Sequence, residues 1–119
     1  MRLSLKYVSM IASTAALFVA SPLVQAIDAQ AAKALASQNN CFKCHTSDKD
    51  RDGPSFHKVA DKFKGKPADE AETRLIAHIT NGEKSLFPDG HEEVHKIAKT
   101  YPPNDKAQLK NLVQWILNQ

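Results

Sequence analysis

The feature that most constrains this chain is a five-residue stretch, Cys41-Phe42-Lys43-Cys44-His45, which contains both of its cysteines. Two thiols three positions apart, followed at once by an imidazole, are what covalent haem attachment requires: each thiol adds to one vinyl group, and the histidine lies under the iron. A zinc site would need further ligands at matching spacing, a redox dithiol would need a preceding strand, and a disulfide would leave His45 unexplained. The motif therefore predicts one covalently attached haem c.

The first 26 residues have the pattern of a secretory signal peptide. Arg2 and Lys6 precede an uncharged run from Val8 to Ala20, and small residues lead up to Ala26. The apolar run is shorter than the roughly 20 residues that span a bilayer, so we expect cleavage after Ala26 rather than a retained anchor. Export to the periplasm agrees with the motif, because haem is attached to such cysteines outside the cytoplasm.

Residues 27–119 are enough for one small domain with a marginal core. Loss of Arg2 and Lys6 lowers the formal net charge from +3 to +1, a balance that does not indicate nucleic-acid binding. We expect no membrane span in the mature chain. A haem at the centre would supply apolar surface that so short a chain lacks.

Apolar periodicity predicts an all-α fold of about four to five helices. Residues 28–38, 55–63, 69–80 and 105–117 each repeat apolar side chains at helical spacing, residues 92–98 have room for one or two turns, and no segment alternates like a strand. The predicted apolar faces comprise Ala31, Ala34 and Leu35 in the first helix, Phe56, Val59, Ala60 and Phe63 in the second, Ala71, Leu75, Ile76 and Ile79 in the third, and Leu109, Leu112, Val113 and Ile116 in the last, with Trp115 at the edge of that face.

Over residues 27–119 the chain resembles the class I monohaem cytochromes c of the small bacterial periplasmic type. The resemblance rests on the alanine-rich first helix, the haem motif, Gly53-Pro54-Ser55-Phe56, Ile79-Thr80-Asn81-Gly82 and the final Trp115-Ile116-Leu117. It implies an electron carrier rather than an enzyme, with unidentified redox proteins as partners and with the first and last helices crossing. It also implies that His45 is the proximal ligand and that the Pro54 carbonyl orients its ring.

The chain departs from this family on the distal side of the iron, where such proteins normally carry a methionine. Met1 and Met10 both lie in the predicted signal peptide, and Tyr101 stands where Met would precede two prolines. His95 is the preferred distal ligand, because the apolar residues around it could pack on the haem face. His91 is an alternative with polar neighbours.

Tyr101 is a less favoured distal ligand, since phenolate ligation needs a strongly lowered oxygen pKa. An iron that is five-coordinate or bound to water also stays open. His57 and His78 are interpreted as ordinary structural or surface histidines.

Three other hypotheses fit parts of the sequence. The segment from His91 to His95 matches the HExxH pattern of zinc metalloproteases, but Gly90 and Pro102 leave little helix to carry it. The missing methionine also suits a gas-binding or sensing haem protein with a vacant or weakly ligated distal site. A small peroxidase could use His91 or His95 as an acid–base group, but no further residue supports turnover. The leading hypothesis is an electron carrier with bis-histidine ligation.

Overall fold

The computed structural model describes residues 25–119, so the predicted signal peptide lies outside them except for its last two residues. Within the described residues the fold is mainly helical, as predicted, with a small antiparallel sheet. No helix of this part of the chain combines the length and apolar character that crossing a bilayer requires. In chain order the elements are α1 (Ala29–Gln38), a 3-10 helix (Cys41–Lys43), α2 (Phe56–Lys62), α3 (Ala68–Thr80), β1 (Lys84–Leu86), β2 (Glu92–Val94) and α4 (Lys106–Leu117).

Three of the helices begin at side chains that cap their free backbone N–H groups. The Asp28 carboxylate accepts a hydrogen bond from the Ala31 N–H at 2.9 Å, and the Ser55 hydroxyl and Asp105 carboxylate do the same for α2 and α4. Such caps typically contribute about 1 kcal/mol each. At the other end of α1, Asn40 adopts a left-handed conformation, with φ of 58°, which asparagine tolerates better than most residues. The caps therefore determine where the chain enters and leaves α1, just before the haem motif.

Helix α4 forms the centre of the core, and α1, α2 and α3 all pack against it. The four residues of its predicted apolar face are all buried, and so is Trp115, which was predicted at the edge of that face. In α1, Leu35 is buried as predicted, but the alanines beside it are Ala32 and Ala36, whereas Ala31 and Ala34 are exposed. Alanines occur on every side of this helix, so apolar periodicity alone could not determine which of them would face the core.

The prediction of a helical turn at residues 92–98 and of no strand was wrong. Strand β1 pairs with β2 in an antiparallel hairpin, with Leu86 opposite Glu92. Its turn is closed by hydrogen bonds from the Phe87 N–H to the His91 carbonyl at 2.8 Å and from the Gly90 N–H to the Phe87 carbonyl at 2.9 Å. Gly90 has φ of 92°, a conformation that glycine adopts readily and that cannot continue a right-handed helix. The turn at Gly90 therefore favours a hairpin, although Val94, Ile97 and Ala98 are apolar residues at helical spacing.

Candidate functional site

A cavity of about 930 Å³ lies between the Cys41–Lys43 turn, α3 and the hairpin. Its volume is near the upper end of the ~300–1,000 Å³ typical of cofactor sites, and its lining is mainly apolar. Both cysteines and two of the histidines predicted to bind iron line it. The apolar side chains around it are Phe56, Val59, Phe63, Leu75, Ile79, Leu86, Phe87, Val94, Ile97, Leu112 and Ile116.

Cys41 and Cys44 are half-buried, unbonded thiols on one wall of this cavity. The tight turn between them is held by hydrogen bonds from the N–H groups of Cys44 and His45 to the Cys41 carbonyl, at 3.2 and 3.0 Å. Burial raises the pKa of the Cys41 thiol, so this side chain is protonated at neutral pH. Addition of each S–H across a vinyl group would form a C–S and a C–H bond, with no proton left over.

The ring of His45 is held in one orientation by its backbone surroundings. Its Nδ1 lies 2.7 Å from the Pro54 carbonyl oxygen, and because a carbonyl only accepts, Nδ1 carries the proton and Nε2 is left with its lone pair. The ring also stacks on Phe56, with centroids 5.4 Å apart. Gly53 packs so closely against it that a Cβ at that position would lie 2.5 Å from His45 Cε1. This wall therefore presents one nitrogen ligand to the cavity.

His95 also lines the cavity, and its ring centroid lies 6.2 Å from that of His45 with the two planes at 39°. Its Nδ1 lies 2.9 Å from the Lys96 carbonyl oxygen, which again leaves Nε2 with the free lone pair. Burial, and then the nearby His78, lower the pKa of His95. The neutral imidazole that binds metals is therefore the form favoured at neutral pH.

The structure does not bring His91 or Tyr101 to the cavity. His91 lies at the exposed tip of the hairpin, where Nδ1 pairs with Asp89 and Nε2 lies 3.1 Å from a Glu93 oxygen. Tyr101 is 79% exposed, and its ring is not part of the cavity lining. Because Glu92–Val94 is a strand, the HExxH segment does not present two histidines on one face of a helix. Residues 25–119 contain no group of three or more His, Cys, Asp or Glu side chains that could hold a metal ion.

His78 lies closer to the site than the sequence indicated. It lines the cavity, its ring centroid lies 4.8 Å from that of His95, and its Nδ1 lies 2.9 Å from a Glu83 carboxylate oxygen. Its position beside Ile79, at the edge of the buried face of α3, was the available signal. His57 agrees with the prediction of a surface histidine, since it is exposed and lies 3.8 Å from Asp61.

These residues fit a haem c. Two thiols and the His45 imidazole line a mainly apolar cavity, and the His95 imidazole lines the same cavity with its centroid 6.2 Å from that of His45. Leu86, Val94 and Ile97 are 72%, 62% and 53% exposed but line the same cavity, so a flat apolar group placed there would cover surface that otherwise faces water. The site therefore provides both the anchoring groups and the apolar contacts that such a cofactor needs.

Comparison with known proteins agrees with this fit. Residues 29–119 match the family model for cytochrome c. The chain is 35% identical to cytochrome c-552 of Nitrosomonas europaea over 103 residues, which cover 84% of this chain and 89% of that protein. It is 32% identical to cytochrome c-551 of Pseudomonas aeruginosa over 101 residues, which cover 82% and 85%.

Solved structures give the same result. The crystal structure of the class 1 cytochrome MtoD from Sideroxydans lithotrophicus ES-1 is 57% identical in sequence and superimposes with a TM-score of 0.70, covering 78% of this chain and 97% of that one. Wild-type cytochrome c552 of Nitrosomonas europaea is 28% identical and superimposes with a TM-score of 0.52, covering 72% and 96%. The chain therefore belongs to the cytochrome c family, as a class I monohaem c-type cytochrome that carries electrons on one covalently bound haem c rather than catalysing a reaction.

Proposed function

We propose that this cytochrome is a periplasmic electron carrier with bis-histidine ligation, in which His45 and His95 bind the iron and Cys41 and Cys44 form the thioethers. The 6.2 Å separation of the two imidazole centroids carries the proposal. Metal–imidazole bonds are about 2 Å long, so two rings bound on opposite sides of one metal have centres about 6 Å apart. The two rings are thus spaced for one metal between them.

Each ligand is supported by a hydrogen bond from its other ring nitrogen. The Pro54 carbonyl orients His45 and the Lys96 carbonyl orients His95, and in both cases Nε2 is left for the iron. The bound haem supplies the one-electron couple. Because both rings are held by backbone groups, neither has to move when the electron arrives or leaves, and the reorganisation that accompanies transfer is small.

The proposed ligands also predict how the reduction potential should differ from that of a cytochrome c with a methionine ligand. A thioether ligand raises the potential of haem iron, and neither methionine of this chain lies within residues 27–119. Imidazole in its place should give a lower potential than methionine ligation. The partners of the protein are accordingly redox proteins that work at this lower potential.

The periplasmic location is supported by the sequence of residues 1–26 and by the chemistry of attachment. A basic start, an uncharged apolar run and small residues before Ala26 are typical of a cleaved export signal. Mass spectrometry of the protein purified from the periplasm should give a chain that begins at Ile27 and carries one haem. A chain that still begins at Met1 would contradict cleavage.

The ligand assignment can be tested by absorption spectroscopy of the wild type and three variants, with and without carbon monoxide. We expect a six-coordinate, low-spin ferrous wild type that binds carbon monoxide slowly, and a His95→Ala variant that is high-spin and binds it readily. His91→Ala and Tyr101→Phe, which alter residues outside the cavity, should behave as the wild type. A wild type that binds carbon monoxide at once would instead favour a gas-binding protein with a weakly ligated distal site.

A further inference from the structure

We infer that Asn39 is a positioning residue that keeps the distal ligand on the iron by clamping residues 95–99 to the end of α1, just before the cysteines. This inference rests on the proposed ligation by His95. The Asn39 Oδ1 accepts a hydrogen bond from the Lys99 N–H at 2.7 Å, and its Nδ2 donates to the Lys99 carbonyl at 3.0 Å. One amide side chain thus pairs with both backbone groups of a residue 60 positions away.

The pairing matters because Asn39 lies just before the haem motif. Asn39 ends α1 and lies two residues before Cys41, and its Nδ2 also donates to the Leu35 carbonyl at 3.0 Å. Its side chain is therefore fixed to the helix that leads into the haem motif. Lys99 lies four residues after His95, so the clamp joins the anchor of the haem to the segment that supplies the distal ligand.

Two backbone hydrogen bonds join residues 95–99 to parts of the chain other than α1. The His95 N–H donates to the Glu83 carbonyl and the Ala98 N–H to the Ile79 carbonyl, both at 2.8 Å. These bonds tie the segment to the end of α3 and to the turn that leads into β1, whereas the clamp ties it to the end of α1. Ala98 packs against the core and the following Thr100 is buried, but Ile97 is half-exposed and Lys99 is exposed. Packing therefore holds this segment only in part, and the polar clamp to α1 should matter for its position.

If His95 binds the iron, carbon monoxide can bind only after His95 dissociates. The backbone of residues 95–99 must move to allow that dissociation. With the clamp in place, the segment is held at its start by Glu83 and towards its end by Ile79 and Asn39. Loss of the two hydrogen bonds to Lys99 should make the departure of His95 easier, and since a hydrogen bond contributes a modest net stabilisation, we expect an increase in rate of about 5- to 100-fold. The two hydrogen bonds from Asn39 to Lys99 thus limit the rate at which carbon monoxide can replace His95.

The chain offers a matched control. The Asn111 Oδ1 accepts a hydrogen bond from the Asp28 N–H and its Nδ2 donates to the Asp28 carbonyl, both at 2.8 Å. This is the same pairing of one amide with one residue's backbone, but it joins α4 to the start of α1, and neither residue lines the cavity. Asn111→Ala therefore removes an equivalent clamp away from the distal ligand.

The experiment measures the rate at which carbon monoxide binds to the ferrous holoprotein of the wild type, Asn39→Ala, Asn111→Ala and His95→Ala. We expect Asn39→Ala to bind about 5- to 100-fold faster than the wild type, and Asn111→Ala to stay within about twofold, although both variants unfold more easily. Equal rates for Asn39→Ala and Asn111→Ala would overturn the inference. If His95→Ala does not bind carbon monoxide faster than the wild type, the proposed ligation by His95 is wrong. This outcome differs from equal rates for the two asparagine variants, so the two failures can be told apart.

A more conservative variant serves if Asn39→Ala yields no holoprotein. Asn39→Asp has the same shape and keeps the acceptor for the Lys99 N–H, but loses the donor to the Lys99 carbonyl. Its rate should lie between those of the wild type and His95→Ala. A rate equal to that of the wild type would contradict the clamp.

Discussion

Two imidazoles that line one cavity are each held by a hydrogen bond from Nδ1 to a backbone carbonyl, that of Pro54 for His45 and that of Lys96 for His95. Backbone acceptors fix both the tautomer and the plane of a ring without adding a charge beside the iron. Gly53 adds a steric limit on the proximal side, because there is no room for a side chain between it and the His45 ring.

Replacement of Gly53 by alanine should move the His45 ring. The new Cβ would lie 2.5 Å from His45 Cε1 and 2.8 Å from Nδ1, so the ring must shift and the hydrogen bond to Pro54 must lengthen. We expect a loss of about 1–3 kcal/mol in the free energy of unfolding, as for other overpacked sites. The electron paramagnetic resonance spectrum of the oxidised protein should change as well, because the orientation of the proposed His45 ligand changes.

Gly65→Ala is the control for this prediction. Gly65 has φ of 80°, and a Cβ added to it would have no neighbouring atom within 4 Å, so alanine there strains the backbone but touches nothing. It should lower stability without altering the resonance spectrum. A Gly53→Ala protein with the spectrum of the wild type would show that the close approach does not position the ring.

Sequence reasoning identified the groups of the site that are close together in the chain. Cys41, Cys44 and His45 form one local motif, whose chemistry is specific enough to predict the cofactor. The packing of His78 on His95, and the pairing of Asn39 with Lys99, join residues 17 and 60 positions apart. Such contacts depend on how elements pack, and no local pattern encodes them.

Helix α1 shows how far periodicity determines an orientation. Ala32 and Ala36 are fully buried in the core, whereas Ala34, for which the apolar repeat predicts burial, is exposed. The helix contains alanine on all sides, so its rotation is decided by the packing of Leu35 among the residues of α4. The start of the helix, by contrast, is predictable, because the capping residue Asp28 is a local signal.

This orientation can be tested by enlarging one alanine at a time. Ala36→Leu should lower the free energy of unfolding by about 1–3 kcal/mol, because the core around it is filled. Ala34→Leu, on the exposed side of the same helix, should change it by no more than about 0.5 kcal/mol. Chemical denaturation of the two holoproteins measures both values. If Ala34→Leu were the more damaging of the two, the helix would be rotated as the apolar repeat indicates.

The hairpin was missed although its turn carries a recognisable signal. Pro88, Asp89 and Gly90 form a Pro-Asp-Gly sequence, which is typical of tight turns. The two strands have only three residues each, too few for alternation to be recognised. Neither Leu86 nor Val94 therefore shows the pattern of a strand residue, although both line the cavity.

The tip of the hairpin should respond to pH. Asp89, and then Glu93, raise the pKa of His91, and the hydrogen bonds from the backbone and ring of His91 lower the pKa of Asp89. The contribution of His91 to stability is complete below its unfolded pKa of about 6.5 and is lost as pH rises through the higher folded value. The contribution of Asp89 is present above its unfolded pKa of about 3.9 and is lost as pH falls through the lower folded value.

The turn should therefore be most ordered between about pH 4 and pH 6.5. Amide hydrogen exchange of Gly90, corrected for its intrinsic pH dependence, measures this order. In His91→Gln the loss of protection on the alkaline side should disappear, while His57→Gln, which alters another exposed histidine, should leave the profile unchanged. A wild-type profile that is flat from about pH 5 to 9 would contradict the pairing of His91 with Asp89.

As a whole, the described domain places a cavity of about 930 Å³ inside a fold of 95 residues. A domain of this size has little core to spare, and much of the apolar surface of the hairpin faces the cavity rather than another element. The haem should therefore supply a large part of the stability.

A Cys41→Ala, Cys44→Ala double variant, which cannot attach haem, tests this dependence. We expect it to lose the cooperative thermal transition of the holoprotein while it keeps some helix by circular dichroism, as partly folded states do. Cys41→Ala alone, which keeps one thioether, should unfold cooperatively at a lower temperature. A haem-free double variant with the transition of the holoprotein would mean that the chain folds without its cofactor.

A crystal structure of the oxidised holoprotein tests the proposed ligation most directly. It should show continuous density from Cys41 and Cys44 to the porphyrin, and iron bound on one side by Nε2 of His45 and on the other by Nε2 of His95. Iron bound instead by His91, Tyr101 or water, with the His95 ring turned away from it, would contradict the proposal.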